Sequence, residues 1–195
     1  MYASGDQPSF PNAGRYYRAA SNALGELAFK CPSRIYEGNS SWIYNWAVPD
    51  PEAEASGKGA HHTVELHAIW GPNNTDGNPP KSYLPGGANE GVVRLMQGYV
   101  TSFVRSLDPS VGKAEGAPRW EMGVDGRTLR VGGVEGTVMG SIDQAEGEGF
   151  EERCRRLRPV IEALEVTPAN GTKVNLADLK GTGFIHGHNY RAGLD

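Results

Sequence analysis

The chain of 195 residues is poor in cysteine, with two thiols, and has no apolar run near the roughly 18 residues that a membrane-spanning helix requires. It has no basic tract: 19 lysines and arginines stand against 23 acidic residues, a net charge of −4, which argues against nucleic-acid partners and anionic membranes. The first residues, Met1-Tyr2-Ala3-Ser4-Gly5-Asp6, lack a charged region followed by an apolar one, so no signal peptide is expected. In a cytosolic protein Cys31 and Cys154 would most simply be unrelated buried thiols. The sequons at Asn39, Asn73 and Asn170 tilt the other way, towards secretion. Glycine is abundant, 27 residues, and the half after residue 110 reads as loop-rich.

The densest chemistry lies in Gly59-Ala60-His61-His62-Thr63-Val64-Glu65-Leu66-His67-Ala68-Ile69-Trp70-Gly71. An imidazole with a pKa of about 6.5 takes up and returns protons near neutrality, and beside a nucleophile it is a general base. A zinc site does not fit. His-Glu-x-x-His needs histidines four apart on one helical face, and the β-branched Thr63 and Val64 disfavour a helix there. No metal or cofactor is expected.

Upstream, residues 15–29 place Tyr17, Ala20, Leu24, Leu27 and Ala28 at helical spacing, and Cys31-Pro32 is expected to end that helix. Ser41 to Val48 is aromatic-rich and reads as a strand, and residues 50–58 read as the loop that follows it. Residues 71–88 carry turn chemistry. Asn89 is then a candidate N-cap for a helix whose stripe is Val92, Val93, Met96, Tyr99, Val100, Phe103 and Val104. A last amphipathic helix starts at Phe150 and carries Leu157, Val160, Ile161 and Leu164. Residues 166–195, with His186 and His188, are polar and read as a tail of low order.

These pieces are similar, in order, to the carboxyl-terminal part of the type-B carboxylesterases and lipases, the cholinesterase-like α/β-hydrolases. The segment Gly59-x-x-His62-x-x-Glu65-Leu66-x-x-x-Trp70-Gly71 resembles the family's histidine segment. Gly25-Glu26-Leu27-Ala28-Phe29-Lys30-Cys31-Pro32 resembles its Cys-Pro helix end, and Met96-x-x-Tyr99 through Asp108-Pro109 resembles its long helix. Pro118-Arg119-Trp120 and Thr128 to Val131 resemble the pieces that follow, so the likeness spans residues 13–164. It implies an α/β fold, the C-terminal fragment of an α/β-hydrolase domain over residues 1–165: last strands, histidine loop and covering helices. It also implies a secreted, extracellular hydrolase acting on small-molecule or lipid esters, with His62 as triad base. Glu65 is either a solvated carboxylate or, as in the family, a buried acid beside that base. His61 and His67 are expected to be structural or exposed, and the alternative for His62 is a surface-loop histidine. The resemblance further implies a disulfide between Cys31 and Cys154. Arg155-Arg156-Leu157-Arg158-Pro159 departs from the family's aromatic-rich segment and leaves the docking of the last helix open.

Ester hydrolysis on this fold needs a serine in Gly-x-Ser-x-Gly, oxyanion donors and an acid, in the order serine, acid, histidine. Neither Gly-x-Ser-x-Gly nor a His-Gly-Gly-Gly stretch occurs. Of the carboxylates before His62, namely Asp6, Glu26, Glu37, Asp50, Glu52 and Glu54, none has the context of a triad acid. The expectation is a chain inactive alone, with strand 41–48 and the long helix in need of a parallel neighbour from outside it. The alternative is a non-catalytic cholinesterase-like interaction module.

Overall fold

The computed structural model describes residues 8–36 and 41–165; Asp6, Glu37, Asn39 and the segment 166–195, with Asn170, His186 and His188, lie outside them. Helix α1 (Tyr17–Gly25) does not stop at Cys31-Pro32. It widens into a π-helical segment, Glu26–Lys30, and continues as α2 (Cys31–Tyr36). The amide of Cys31 donates five residues back, to Glu26. Proline inside a helix ordinarily collides with the carbonyl four residues earlier and lacks a donor. A wider turn just before Pro32 relieves both problems, which is why the helix survives the proline.

Strand β1 is shorter than the sequence suggests, Tyr44–Trp46. The segment read as a loop after it holds a short helix, α3 (Pro51–Ala55). Its signals are present in the chain: the Asp50 carboxylate accepts from the Ala53 amide at 2.9 Å, and Pro51 fills the first helical position. Helix α4 (Leu66–Ile69) closes the histidine segment, and a 3₁₀ turn, Lys81–Tyr83, interrupts the next loop. Helix α5 (Glu90–Ser106) follows where the stripe predicts it. Asn89 stands at its N-cap position, but its side chain donates to the Pro49 carbonyl at 2.7 Å instead of capping. The glycine-rich half is not merely loop: it carries β2 (Arg127–Val131), β3 (Val138–Ser141), α6 (Ile142–Glu146) and α7 (Phe150–Glu165).

The three strands form one mixed sheet in the order β1-β2-β3. β1 runs parallel to β2, with Tyr44 opposite Leu129 and Trp46 opposite Val131, and β2 pairs antiparallel with β3. The parallel neighbour of β1 on this side therefore comes from the chain's own residues. α5 covers the sheet with Val92, Val93, Leu95, Met96 and Tyr99, all buried against Val48, Tyr83, Trp120, Leu129 and Val131. Trp120 is the centre of an aromatic cluster, edge-on to Tyr99 at 5.4 Å and Tyr44 at 5.7 Å, and its indole N–H donates to Ile43 at 3.0 Å. The expected stripe fails at its end: Phe103 and Val104 are exposed, because Leu107 turns left-handed (φ 57°) and the chain folds back so that Gly112 donates to Ser102.

A second core, Cys31, Ile142, Phe150, Cys154 and Ile161, joins α2 to α6 and α7. Cys31 and Cys154 are disulfide-bonded, with Cα atoms 5.1 Å apart. Beside the bridge the Arg153 guanidinium grips the buried Glu26 carboxylate at 2.9–3.0 Å. Lys30 and Asn45 both donate to Glu146, at 2.5 and 2.6 Å, tying the π segment and β1 to α6. α7 thus docks in spite of its arginine-rich stretch, because Arg155, Arg156 and Arg158 stay outside and pair with Glu152 and Glu162.

Candidate functional site

The loop from Gly57 to Glu65 follows β1 and α3 and presents His62, placing a reactive group beyond the carboxyl end of a parallel strand. Its path depends on unusual backbone. Gly57 (φ 79°) and Gly59 (φ 57°) take left-handed conformations, and a Cβ on Gly57 would fall 2.4 Å from the Phe10 ring. Thr63, next to His62, is also left-handed, at φ 69°. For a β-branched residue that conformation is an outlier, costing on the order of 1–3 kcal/mol, and such strain concentrates where a side chain must be aimed. The Thr63 hydroxyl donates to the His62 carbonyl at 2.6 Å and helps to hold it.

The His62 ring is exposed and lies on Phe29, ring centroids 5.3 Å apart and planes 24° from parallel. Two segments thirty residues apart in sequence therefore meet: the Cys-Pro helix end supplies the platform and the histidine loop supplies the ring. Sequence reasoning singled out both segments but not this contact. The His62 ring makes no hydrogen bond or ion pair with the described residues. His61 instead turns Nδ1 to the Gly59 carbonyl at 3.2 Å. His67 is buried, and its Nδ1 shares a 2.6 Å hydrogen bond with the Thr75 hydroxyl, a structural role.

Glu65 is half-buried at the head of α4, and its charge is felt at Tyr44 and Tyr83. Burial, and then the Glu65 carboxylate, raise the Tyr44 hydroxyl above its ordinary pKa. Burial likewise pushes Tyr83 up to about 12, with Asp50 and Glu65 adding to the rise against a hydrogen bond from Trp46. The described carboxylates upstream are mostly engaged elsewhere. Glu26 holds Arg153, Glu52 holds Lys81 at 2.5 Å, and Asp50 caps α3 while accepting from Ser82 at 2.7 Å. Burial raises the Asp50 pKa, but the Ser82 hydroxyl and the Ala53 and Glu52 amides, with His61 nearby, outweigh it and leave it lowered. No cluster of three or more metal-ligating side chains occurs among the described residues.

No protein-family model and no curated protein matches the chain. Among solved structures it is similar to the crystal structure of Aspergillus niger EstA, an esterase by its name, with a TM-score of 0.72 and 29% identity. That likeness covers 85% of this chain and 32% of EstA, so the chain spans about a third of the length of its structural relative. The mixed sheet, its covering helices and the histidine loop thus form an α/β-hydrolase-like architecture related to that of an esterase.

Proposed function

We propose that the chain is the histidine-bearing part of a type-B carboxylesterase or lipase of the cholinesterase-like kind, with His62 as general base. The observation that carries this reading is the aiming of an exposed imidazole by a strained loop beyond a parallel strand, in a fold that matches an esterase. His62 would accept the proton of a serine hydroxyl as that oxygen attacks the ester carbonyl, then hand it to the departing alkoxide. Water, activated by the same ring, would release the acid and restore the serine. The serine and its oxyanion donors are not among these 195 residues, which contain no Gly-x-Ser-x-Gly. Substrates would be small-molecule or lipid esters, and the disulfide and sequons favour an extracellular setting.

The absence of a carboxylate against His62 among the described residues supports a second reading, a cholinesterase-like interaction module without catalysis. A hybrid in which this chain replaces the matching third of EstA separates the two. Under the enzyme reading the hybrid hydrolyses a short-chain aryl ester, and H62A lowers kcat on the order of a millionfold, as loss of a triad histidine does. A folded hybrid whose activity is indifferent to His62→Ala would overturn it.

A further inference from the structure

Beside the histidine loop, and sharing Thr63 with it, lies a cleft whose Trp70 and Asn73 the proposed ester chemistry does not use. Trp70, at the end of α4, is 60% exposed, while the chain's other three tryptophans are half-buried or buried. It borders an open cleft of about 630 Å³ together with Asn73, Asn74 and Thr75. Gly71 to Asn74 form a turn closed by the Asn74 amide on the Gly71 carbonyl at 3.1 Å, with Pro72 and Asn73 at its apex. The Asn74 side chain is spent inside this turn, donating to the Trp70 carbonyl at 2.8 Å. Asn73 is exposed, and no hydrogen bond with the described residues engages its amide.

We propose that Asn73 is an N-glycan acceptor, its amide nitrogen losing a proton as it bonds the anomeric carbon of a lipid-linked oligosaccharide whose lipid diphosphate departs, and that the first N-acetylglucosamine lies against the exposed indole of Trp70. Asn73-Asn74-Thr75 has the acceptor pattern, and the Cys31–Cys154 bridge fits the oxidising setting in which such transfer occurs. A pyranose has an apolar face of C–H groups, and an indole offers a rigid apolar plate with a wet edge. The tryptophan precedes the acceptor by three residues and shares its cleft, so an attached sugar meets the ring without a long reach. The Thr75 hydroxyl, which the transfer must use, is bound to the buried His67 in the folded chain. Transfer therefore precedes closure of this loop, and the finished glycan covers a ring that folding leaves bare.

The full chain, fused to a cleavable leader and translated with endoplasmic-reticulum microsomes, tests the acceptor. In the protease-protected fraction the peptide holding Asn73 should carry a glycosidase-sensitive sugar, and N73Q should show one step fewer on a gel. Protected chain with Asn73 unmodified would overturn the proposal. Acrylamide quenching tests the stacking on glycosylated protein secreted from yeast. Trimming to a single N-acetylglucosamine should leave the most quenchable tryptophan component protected, complete enzymatic removal should expose it, and W70F should abolish the difference. Quenching indifferent to complete removal would overturn the Trp70 contact.

Discussion

Replacing both Cys31 and Cys154 by alanine removes a covalent tie across 123 positions of chain. In the chain-entropy model a loop of that length, left open in the unfolded state, costs about 5 kcal/mol of stability. Both sulfurs are buried, Cys31 completely, so the two alanines remove little further packing volume, and the main loss is the closure itself. The bidentate Arg153–Glu26 pair survives the change and holds α7 in place in the native state, which keeps the loss from exceeding that figure. Against a typical domain stability of about 5–15 kcal/mol the change is severe. Urea unfolding of C31A/C154A and of oxidised parent, followed by tryptophan fluorescence, should show a drop of about 3–5 kcal/mol. Reduction of the parent should reproduce that drop. If reduced and oxidised protein unfold at the same urea concentration, the second core is held by packing and ion pairs alone, and the closure argument fails.

The chain by itself, lacking a nucleophile elbow, should hydrolyse a short-chain aryl ester no faster than its H62A variant; a clear rate difference between the two refutes that. Thr63→Gly should leave the fold intact and stabilise it by up to about 1 kcal/mol, because glycine accepts a positive φ at little cost; a loss of stability would show that the threonine hydroxyl outweighs the strain. Asp50 has a lowered pKa, so its contribution is present above the unfolded carboxylate value of about 3.9 and is lost as pH falls through the folded one. D50N keeps a capping side chain without the charge, so its deficit against the parent should be largest at neutral pH and shrink on acidification; a deficit that does not change with pH counts against the charge. β1 ends the sheet among the described residues, and Val104, Leu107 and Val111 are exposed, so concentrated chain should self-associate and bind a hydrophobic dye. Monomeric protein with one sharp transition and no dye binding would contradict that expectation.

What the sequence revealed depended on how local the cause was. α5 was readable because its apolar positions recur with a helical period, and the error at Phe103 and Val104 arose where a distant return of the chain, not the period, decides burial. α3 was missed although Asp50-Pro51 is a start signal, since five residues are too few for a periodic stripe. The π segment has no sequence signature of its own: the same residues read as a plain helix halted by Pro32. Strand β2 looked like an isolated fragment until its pairing with β1, 85 positions away at Asn45 and Arg130, gave it a place. The Cys31–Cys154 pairing came from family likeness, because two thiols that far apart carry no pairing information in their spacing. Thr63 is the sharpest case: β-branching argues against φ 69°, so only the folded loop could disclose it.

The staple and the candidate base belong to one mechanical unit. Phe29, the surface on which His62 rests, is two residues from Cys31 and three from Glu26, and both of those anchor to α7. A π turn places these residues by a backbone register that α-helical residues do not adopt, and it carries Phe29 between two fixed points. On the other side, His62 is held through its backbone by Thr63, and the loop is pinned at Gly57 beneath Phe10. The ring itself stacks on the Phe29 face, so its orientation depends on the platform as well as on its own strained loop. Breaking the disulfide would therefore loosen the Phe29 platform first and the imidazole after it. A stability element far from the loop in sequence thus becomes a positioning element for the residue proposed to move the proton.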